Sequence, residues 1–176
     1  MQLQSSVPAH VPTAEGLRTA VVVTRTRQGS HAGRSIGNSA ELVQLAIQVL
    51  GGHLQVFEFV RLESFADHAV AFQRTVVMMG MEGAGLTNIV HMPAGGHVIE
   101  LSTNPYPSVF WEAGHGLDLI WWHFEVRWDA TDETHLVDLG RMRKLLPCVL
   151  KAAQLRRLDF NTAHVLARLV DREDEG

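Results

Sequence analysis

The stretch Gly80-Met81-Glu82-Gly83-Ala84-Gly85-Leu86-Thr87-Asn88 follows a short apolar run and leads into residues of helical character. Glycines let backbone come close to a bulky anion, and the free N–H groups at a helix start favour phosphate. The segment therefore has the make-up of a diphosphate cradle. It is not a P-loop, because the Lys and Ser/Thr of that motif are absent, and its glycine spacing differs from the dinucleotide fingerprint. A tight turn with close strand–helix packing asks for the same glycines, so both readings stand at this level.

Two further groups share the expected location. Arg25 and Arg27 follow a β-branched run, Arg34 lies a few residues on, and Glu100 ends another apolar run. The planar guanidinium fork suits phosphate oxygens, and a carboxylate at a strand end suits the paired hydroxyls of a ribose. Between Glu15 and Glu41 the chain has no acidic residue, while Arg18, Arg25, Arg27, His31 and Arg34 fall there. A cation, a cradle and a hydroxyl acceptor are thus expected on one edge.

The elements that must position these groups alternate. Thr19–Thr24 reads as a strand buried on both faces. Asn38–Leu50 reads as a helix with Leu42, Leu45, Ala46 and Val49 on one side, Gly51 as its stop, and Asn38 with Glu41 as a capping box. Leu54–Val60 is expected to be a second strand and Ser64–Gln73 a second helix capped by Ser64. A third strand, Thr75–Met79, should end at Gly80, with a short helix from Gly85 to about Met92. His97–Leu101 and Leu117–Val126 complete the strands, with a helix through Phe110 to Gly114 between them. A polar loop then leads to a helix over His135–Lys151, interrupted or kinked at Pro147, and Asn161–Val170 reads as one more helix. About five strands alternating with helices define an α/β, Rossmann-like three-layer unit with a mainly parallel sheet. Ligands of such sheets bind beyond the carboxyl ends of the strands.

Composition agrees with one domain. The chain has 176 residues, 46% hydrophobic and 19% charged, with a net charge of −4. A flexible segment over 1–17, a ligand-binding domain over 18–155 and a C-terminal helix with an acidic tail over 156–176 are expected. The charge balance argues against nucleic acid as a partner. Direct membrane insertion is not expected either, since no uninterrupted apolar run has spanning length. The single Cys148 excludes an intrachain disulfide and a cysteine-based zinc cluster.

The residues also resemble a known family. Arg25-Thr-Arg27, Arg34-Ser35-Ile36-Gly37-Asn38, Glu41-Leu42, Ser64-Phe65, Gly83-Ala84-Gly85-Leu86-Thr87-Asn88, Met92-Pro93 with Gly95, and Val98-Ile99-Glu100-Leu101 occur in this order. From about Arg18 to about Leu150 the sequence resembles the C-terminal half of glycosyltransferase family 61. That family includes plant xylan arabinosyl- and xylosyltransferases and animal protein O-linked N-acetylglucosaminyltransferases. The resemblance implies one half of a GT-B fold, and inverting transfer from a nucleotide sugar, commonly UDP-linked, to a glycan or glycoprotein acceptor without an obligatory metal or other cofactor. Gly83, Ala84, Gly85, Leu86, Thr87 and Asn88 would face the diphosphate with Glu82 beside them. Arg25, Arg27 or Arg34 would neutralise the diphosphate, and Glu100 would hold ribose or sugar hydroxyls. No catalytic base is implied, because the acceptor site lies between the two halves and the N-terminal half is expected to be missing.

The sequence departs from the family pattern at two places. Glu82 stands where the family usually has His, and a carboxylate beside a diphosphate repels it unless turned away or protonated. Asp67-His68 stands where the family has a Glu-Gln pair. An inactive nucleotide- or sugar-binding module is the competing reading, whereas an oxidoreductase is disfavoured because no glycine fingerprint follows the first strand. The ten histidines show no metal-ligand spacing, so packing or surface roles are expected for them. Packing is expected for Trp121, Trp122 and Trp128 as well. Met1–Gly16 lacks the basic start and apolar middle of an export signal. As written the chain reads as cytoplasmic, and the resemblance implies the endoplasmic reticulum or Golgi lumen if it is part of a longer eukaryotic enzyme.

Overall fold

The computed structural model describes residues 18–24, 35–59, 65–106 and 108–155. Arg25, Arg27, Arg34, Ser64, the helix expected over Asn161–Val170, and the terminal segments 1–17 and 156–176 lie outside the described residues.

Five parallel strands form the centre: β1 (Thr19–Val23), β2 (Gln55–Phe59), β3 (Thr75–Met81), β4 (His97–Ser102) and β5 (Ile120–Glu125), in the order β2-β1-β3-β4-β5. The fold is the expected α/β, Rossmann-like arrangement. β1 is Thr-Ala-Val-Val-Val and buried throughout, as a strand covered on both faces must be. The strand order reverses between β1 and β3, which makes the carboxyl ends of these two strands the topological switch point.

Side chains alternate along the strands and divide the core in two. Val22, Met79, Ile99, Leu101, Trp122 and Phe124 point to one face, under α1 (Ser39–Leu50) and α4 (Leu139–Leu155). Val21, Val23, Met78, Val98 and Trp121 point to the other. That face is covered by α2 (Phe65–Phe72), which contributes Phe72, by a 3-10 helix (Ala84–His91), which contributes Leu86 and Ile89, and by α3 (Val109–Gly116), whose Phe110 and Trp111 pack against the same core. Each fully buried side chain of this size contributes about 1.5 to 3 kcal/mol through removal from water.

Several boundaries differ from expectation, each for a physical reason. β3 does not end at Gly80. It continues to Met81, with Gly80 opposite Glu100 and Met81 opposite Leu101. A Cβ on Gly80 would lie 2.9 Å from the Cβ of Val23, so glycine lets β3 run close beside β1 here instead of terminating it.

The long helix does not begin at His135. That residue belongs to a two-stranded antiparallel ribbon, β6 (Arg127–Asp129) and β7 (Thr134–Leu136), which takes up part of the expected polar loop and the first residues of the expected helix. α4 starts at Leu139 because the Asp138 carboxylate accepts hydrogen bonds from the N–H groups of Gly140, at 2.9 Å, and Arg141, at 3.1 Å. It runs uninterrupted past Pro147, whose position on the exposed side leaves the apolar stripe of Met142, Leu145, Leu146, Val149 and Ala153 continuous.

Asn38 precedes α1 but makes no side-chain cap. The capping box with Glu41 is replaced by bonds from the Asn38 side chain to Val137.

Candidate functional site

The candidate site lies at the carboxyl edge of the sheet, where ligands of such folds bind. At the switch point, the chain leaves β3 through Glu82 and Gly83 and enters the 3-10 helix at Ala84. Gly83 has φ 132° and ψ −165°, a backbone region essentially confined to glycine. The turn closes with the N–H of Leu86 donating to the Gly83 carbonyl at 2.8 Å. The N–H groups of Ala84 and Gly85 precede the first such bond and have no acceptor within the helix, which is what an anion-binding helix start provides.

The six residues expected at the cradle do different work. Leu86 is fully buried in the core, so its side chain anchors the helix to the sheet. Thr87 is exposed and donates through its hydroxyl to the Ala84 carbonyl at 2.6 Å. Asn88 is buried; its amide nitrogen donates to the Gly85 carbonyl at 3.0 Å, and its amide oxygen lies 2.7 Å from Nδ1 of His68. An amide oxygen only accepts, so His68 carries a proton on Nδ1. The ring of His68 packs edge-on to Phe59 with centroids 5.2 Å apart. One member of the pair that departs from the family pattern thus ties α2 to the glycine turn. Gly83, Ala84 and Gly85 are left to present backbone.

Glu82 is turned away from the glycine turn. Its backbone N–H donates to the Leu101 carbonyl at 2.9 Å, and its carboxylate accepts from the Ser102 hydroxyl at 2.8 Å. That hydroxyl in turn accepts from the N–H of Asn104 at 3.0 Å. The sequence reading missed Ser102, although a hydroxyl one residue past the expected end of a strand was the available signal.

Glu100 lies next to Gly80 across the β3–β4 ladder and is fully buried. Oε2 accepts from Nε1 of Trp121 at 3.0 Å and from the N–H of Ser108 at 3.3 Å, and lies 3.6 Å from Nδ1 of His123. Burial pushes the carboxyl group up. The contacts with His123, Ser108 and Trp121 outweigh it and hold Glu100 below its ordinary value, so the group is an anion at neutral pH. Ser108 also caps α3, its side chain accepting from the N–H of Phe110 at 3.2 Å. Glu100 therefore ties β4 to the start of α3 and to β5, while Oε1 has no partner.

Two of the tryptophans weighed as packing residues, Trp121 and Trp122, are buried. Trp122 donates to Nδ1 of His97 at 2.9 Å. Trp128, on β6, is 48% exposed and meets the His135 ring edge-on. No group of three His, Cys, Asp or Glu is placed to hold a metal ion among the described residues. Among the same residues, no helix is long and apolar enough to cross a membrane.

A doubly wound parallel sheet with a glycine-only turn and a helix start at its switch point defines a Rossmann-like α/β protein. The particular family follows from the sequence: the chain belongs to glycosyltransferase family 61, the family model for Glycosyltransferase 61 matching residues 1–99. This match spans the arginine segment, the switch point and the glycine turn, and ends one residue before Glu100. No curated protein sequence matches the chain.

Proposed function

We propose that this chain is the donor-binding half of a family 61 glycosyltransferase of GT-B type. It takes a nucleoside-diphosphate sugar, UDP-linked, for inverting transfer to a glycan or protein acceptor. The observation that carries the reading is the glycine-only backbone of Gly83 at the switch point, immediately before the 3-10 helix start. The diphosphate would meet the N–H groups of Ala84 and Gly85, and Arg25, Arg27 or Arg34 would supply the neutralising charge. In glycosyl transfer the bond from the anomeric carbon to the diphosphate breaks and its electron pair leaves with the diphosphate. Groups that stabilise that negative charge as it develops lower the barrier. This reading calls on no metal and no further cofactor.

Thermal denaturation with and without UDP and UDP-sugars tests it, since a ligand that binds the folded state raises the melting midpoint. A midpoint unmoved by every nucleotide at millimolar concentration overturns the reading. If Arg25 or Arg34 makes a charge-assisted contact, its replacement by Ala weakens binding by about 1.5 to 3 kcal/mol.

A second reading, an inactive nucleotide-binding module, draws on Glu82 at the usual histidine position. Its bond to Ser102 weakens that objection, because the carboxylate is engaged away from the turn. Sugar transfer by the parent protein with an acceptor half supplied eliminates the module reading. A Glu82→His variant that alone is active supports it.

A further inference from the structure

Two hydrogen bonds run from α2 into the glycine turn, and their donor directions are fixed. The Gly85 carbonyl only accepts, so the Asn88 amide nitrogen faces it, at 3.0 Å, and the amide oxygen faces Nδ1 of His68, at 2.7 Å. His68 therefore donates from Nδ1, and a second proton enters the ring at Nε2. The tie to the turn is the same in both charge states. Because α2 follows β2, a strand parallel to the rest of the sheet, its N-terminal end lies at the carboxyl edge beside the switch point.

The peptide held by these bonds belongs to the turn itself. Between Gly85 and Leu86, the carbonyl is bound by Asn88 and the N–H by the Gly83 carbonyl. His68 is half-buried, with its ring edge-on to Phe59, and one side chain separates it from the Gly85 backbone. An asparagine at this position carries an amide N–H close to where Nδ1 sits and can donate the same bond. What histidine adds is a charge that can be switched on by a proton.

We propose that His68 is a positioning residue of the glycine turn whose protonation strengthens binding of the nucleotide diphosphate; this rests on the donor-binding reading above. The effect is electrostatic, since a cation held a few ångströms from a bound anion attracts it. Among the described residues, the other ionisable groups on the elements around His68 are Asp67 on α2, Glu58 on β2, His91 on the 3-10 helix and Glu82 at the entry to the turn. Glu58 accepts from Thr24 and Glu82 from Ser102, and the His91 ring packs against Phe65. Histidine is the side-chain type whose charge ordinarily changes between pH 8 and pH 6, which makes His91 the control.

Calorimetric titration of the full chain with UDP and UDP-sugars at pH 8 and pH 6 is the test, on the parent protein, His68→Asn, His68→Ala and His91→Gln. The ligand's own phosphate titration is common to all of them and cancels in affinity ratios. At pH 8 the parent and His68→Asn should agree within about twofold, because both keep the bond to Asn88. At pH 6 the parent should bind about fivefold more tightly than His68→Asn, and the gap should narrow as salt is added. His68→Ala, which lacks the bond as well, should bind more weakly than His68→Asn at both pH values, and His91→Gln should follow the parent. Nucleotide binding with a parent-to-Asn ratio that does not change with pH overturns the inference alone, as does a gain at low pH that vanishes in His91→Gln. Absence of any nucleotide binding by the parent overturns the donor-binding reading and this inference with it.

Discussion

The side chain of Asn38 brackets the backbone of Val137, donating to its carbonyl at 2.8 Å and accepting from its N–H at 3.0 Å. These residues are 99 positions apart. The contact continues a chain of backbone bonds in which Gly37 donates to His135 and His135 donates to Ser35. The Ser35–Asn38 motif thus extends the β6–β7 ribbon, and Gly37 is required because a Cβ there would fall 2.5 Å from Oγ1 of Thr134. Family-motif residues that could be mistaken for ligand contacts here fasten the segment after β1 to the approach to α4.

The bracket predicts an unusual ranking of substitutions. Asn38→Ala strands a donor and an acceptor on Val137 and should lower stability by about 2 kcal/mol. Asn38→Asp keeps the acceptor but sets a carboxylate oxygen against the Val137 carbonyl, so it should be no better than Ala. Were Asn38 an ordinary helix cap, Asp would be nearly neutral. Urea unfolding of the two variants decides between them.

Gly83→Ala should be costly for a different reason. Its φ of 132° lies where an L side chain is strained, and the expected loss is about 1 to 3 kcal/mol. Gly52→Ala is the control: its φ lies outside the left-handed region and a Cβ meets no atom within 4 Å. Melting midpoints should fall for the first variant and hold or rise slightly for the second.

The sequence pattern made the parallel sheet legible because β1 and β3 are continuous apolar runs and Leu42, Leu45 and Ala46 recur at helical spacing. The ribbon was not legible, since β6 and β7 are three residues each and Thr134 and His135 are buried polar residues in polar surroundings. Among site residues, Gly83 could be found from its motif, and Glu100 from its strand end. Ser102 offered only a hydroxyl one residue past an expected strand end, and His123 offered no signal of its own. Their roles depend on which strands become neighbours and in what register, and strand order is set by the whole sheet.

Stability should fall with acid in a range traceable to His97. This residue is fully buried, accepts a hydrogen bond at Nδ1 from Trp122, and has its pKa lowered by burial to about 4. A lowered pKa means that the folded protein binds the proton less readily than the unfolded chain, whose histidine titrates near 6.5. The contribution is therefore complete above about pH 6.5 and is lost progressively down to about pH 4, on the order of 3 kcal/mol in all. His135, also lowered by burial, acts in the same direction. Glu100 has the carboxylate's sign, and its contribution falls away only at lower pH, below its ordinary value. Urea midpoints of the parent and His97→Gln between pH 7 and pH 4.5 should converge, because the variant has no proton to take up at this position.

On the proposed donor-binding function, the Glu82–Ser102 bond should set ligand affinity. While the Ser102 hydroxyl donates to it, the Glu82 carboxylate is held toward β4. Ser102→Ala removes that donor and leaves a mobile anion next to the proposed diphosphate, where like charges oppose each other. UDP affinity should drop severalfold, about 1 kcal/mol, and the loss should shrink as ionic strength rises. Glu82→Gln removes the repelling charge, so Ser102→Ala made in that background should have little effect. A double-mutant cycle by calorimetry then yields a coupling of about 1 kcal/mol between the two residues. Additive effects would instead mean that the Glu82 carboxylate does not face the ligand even when released.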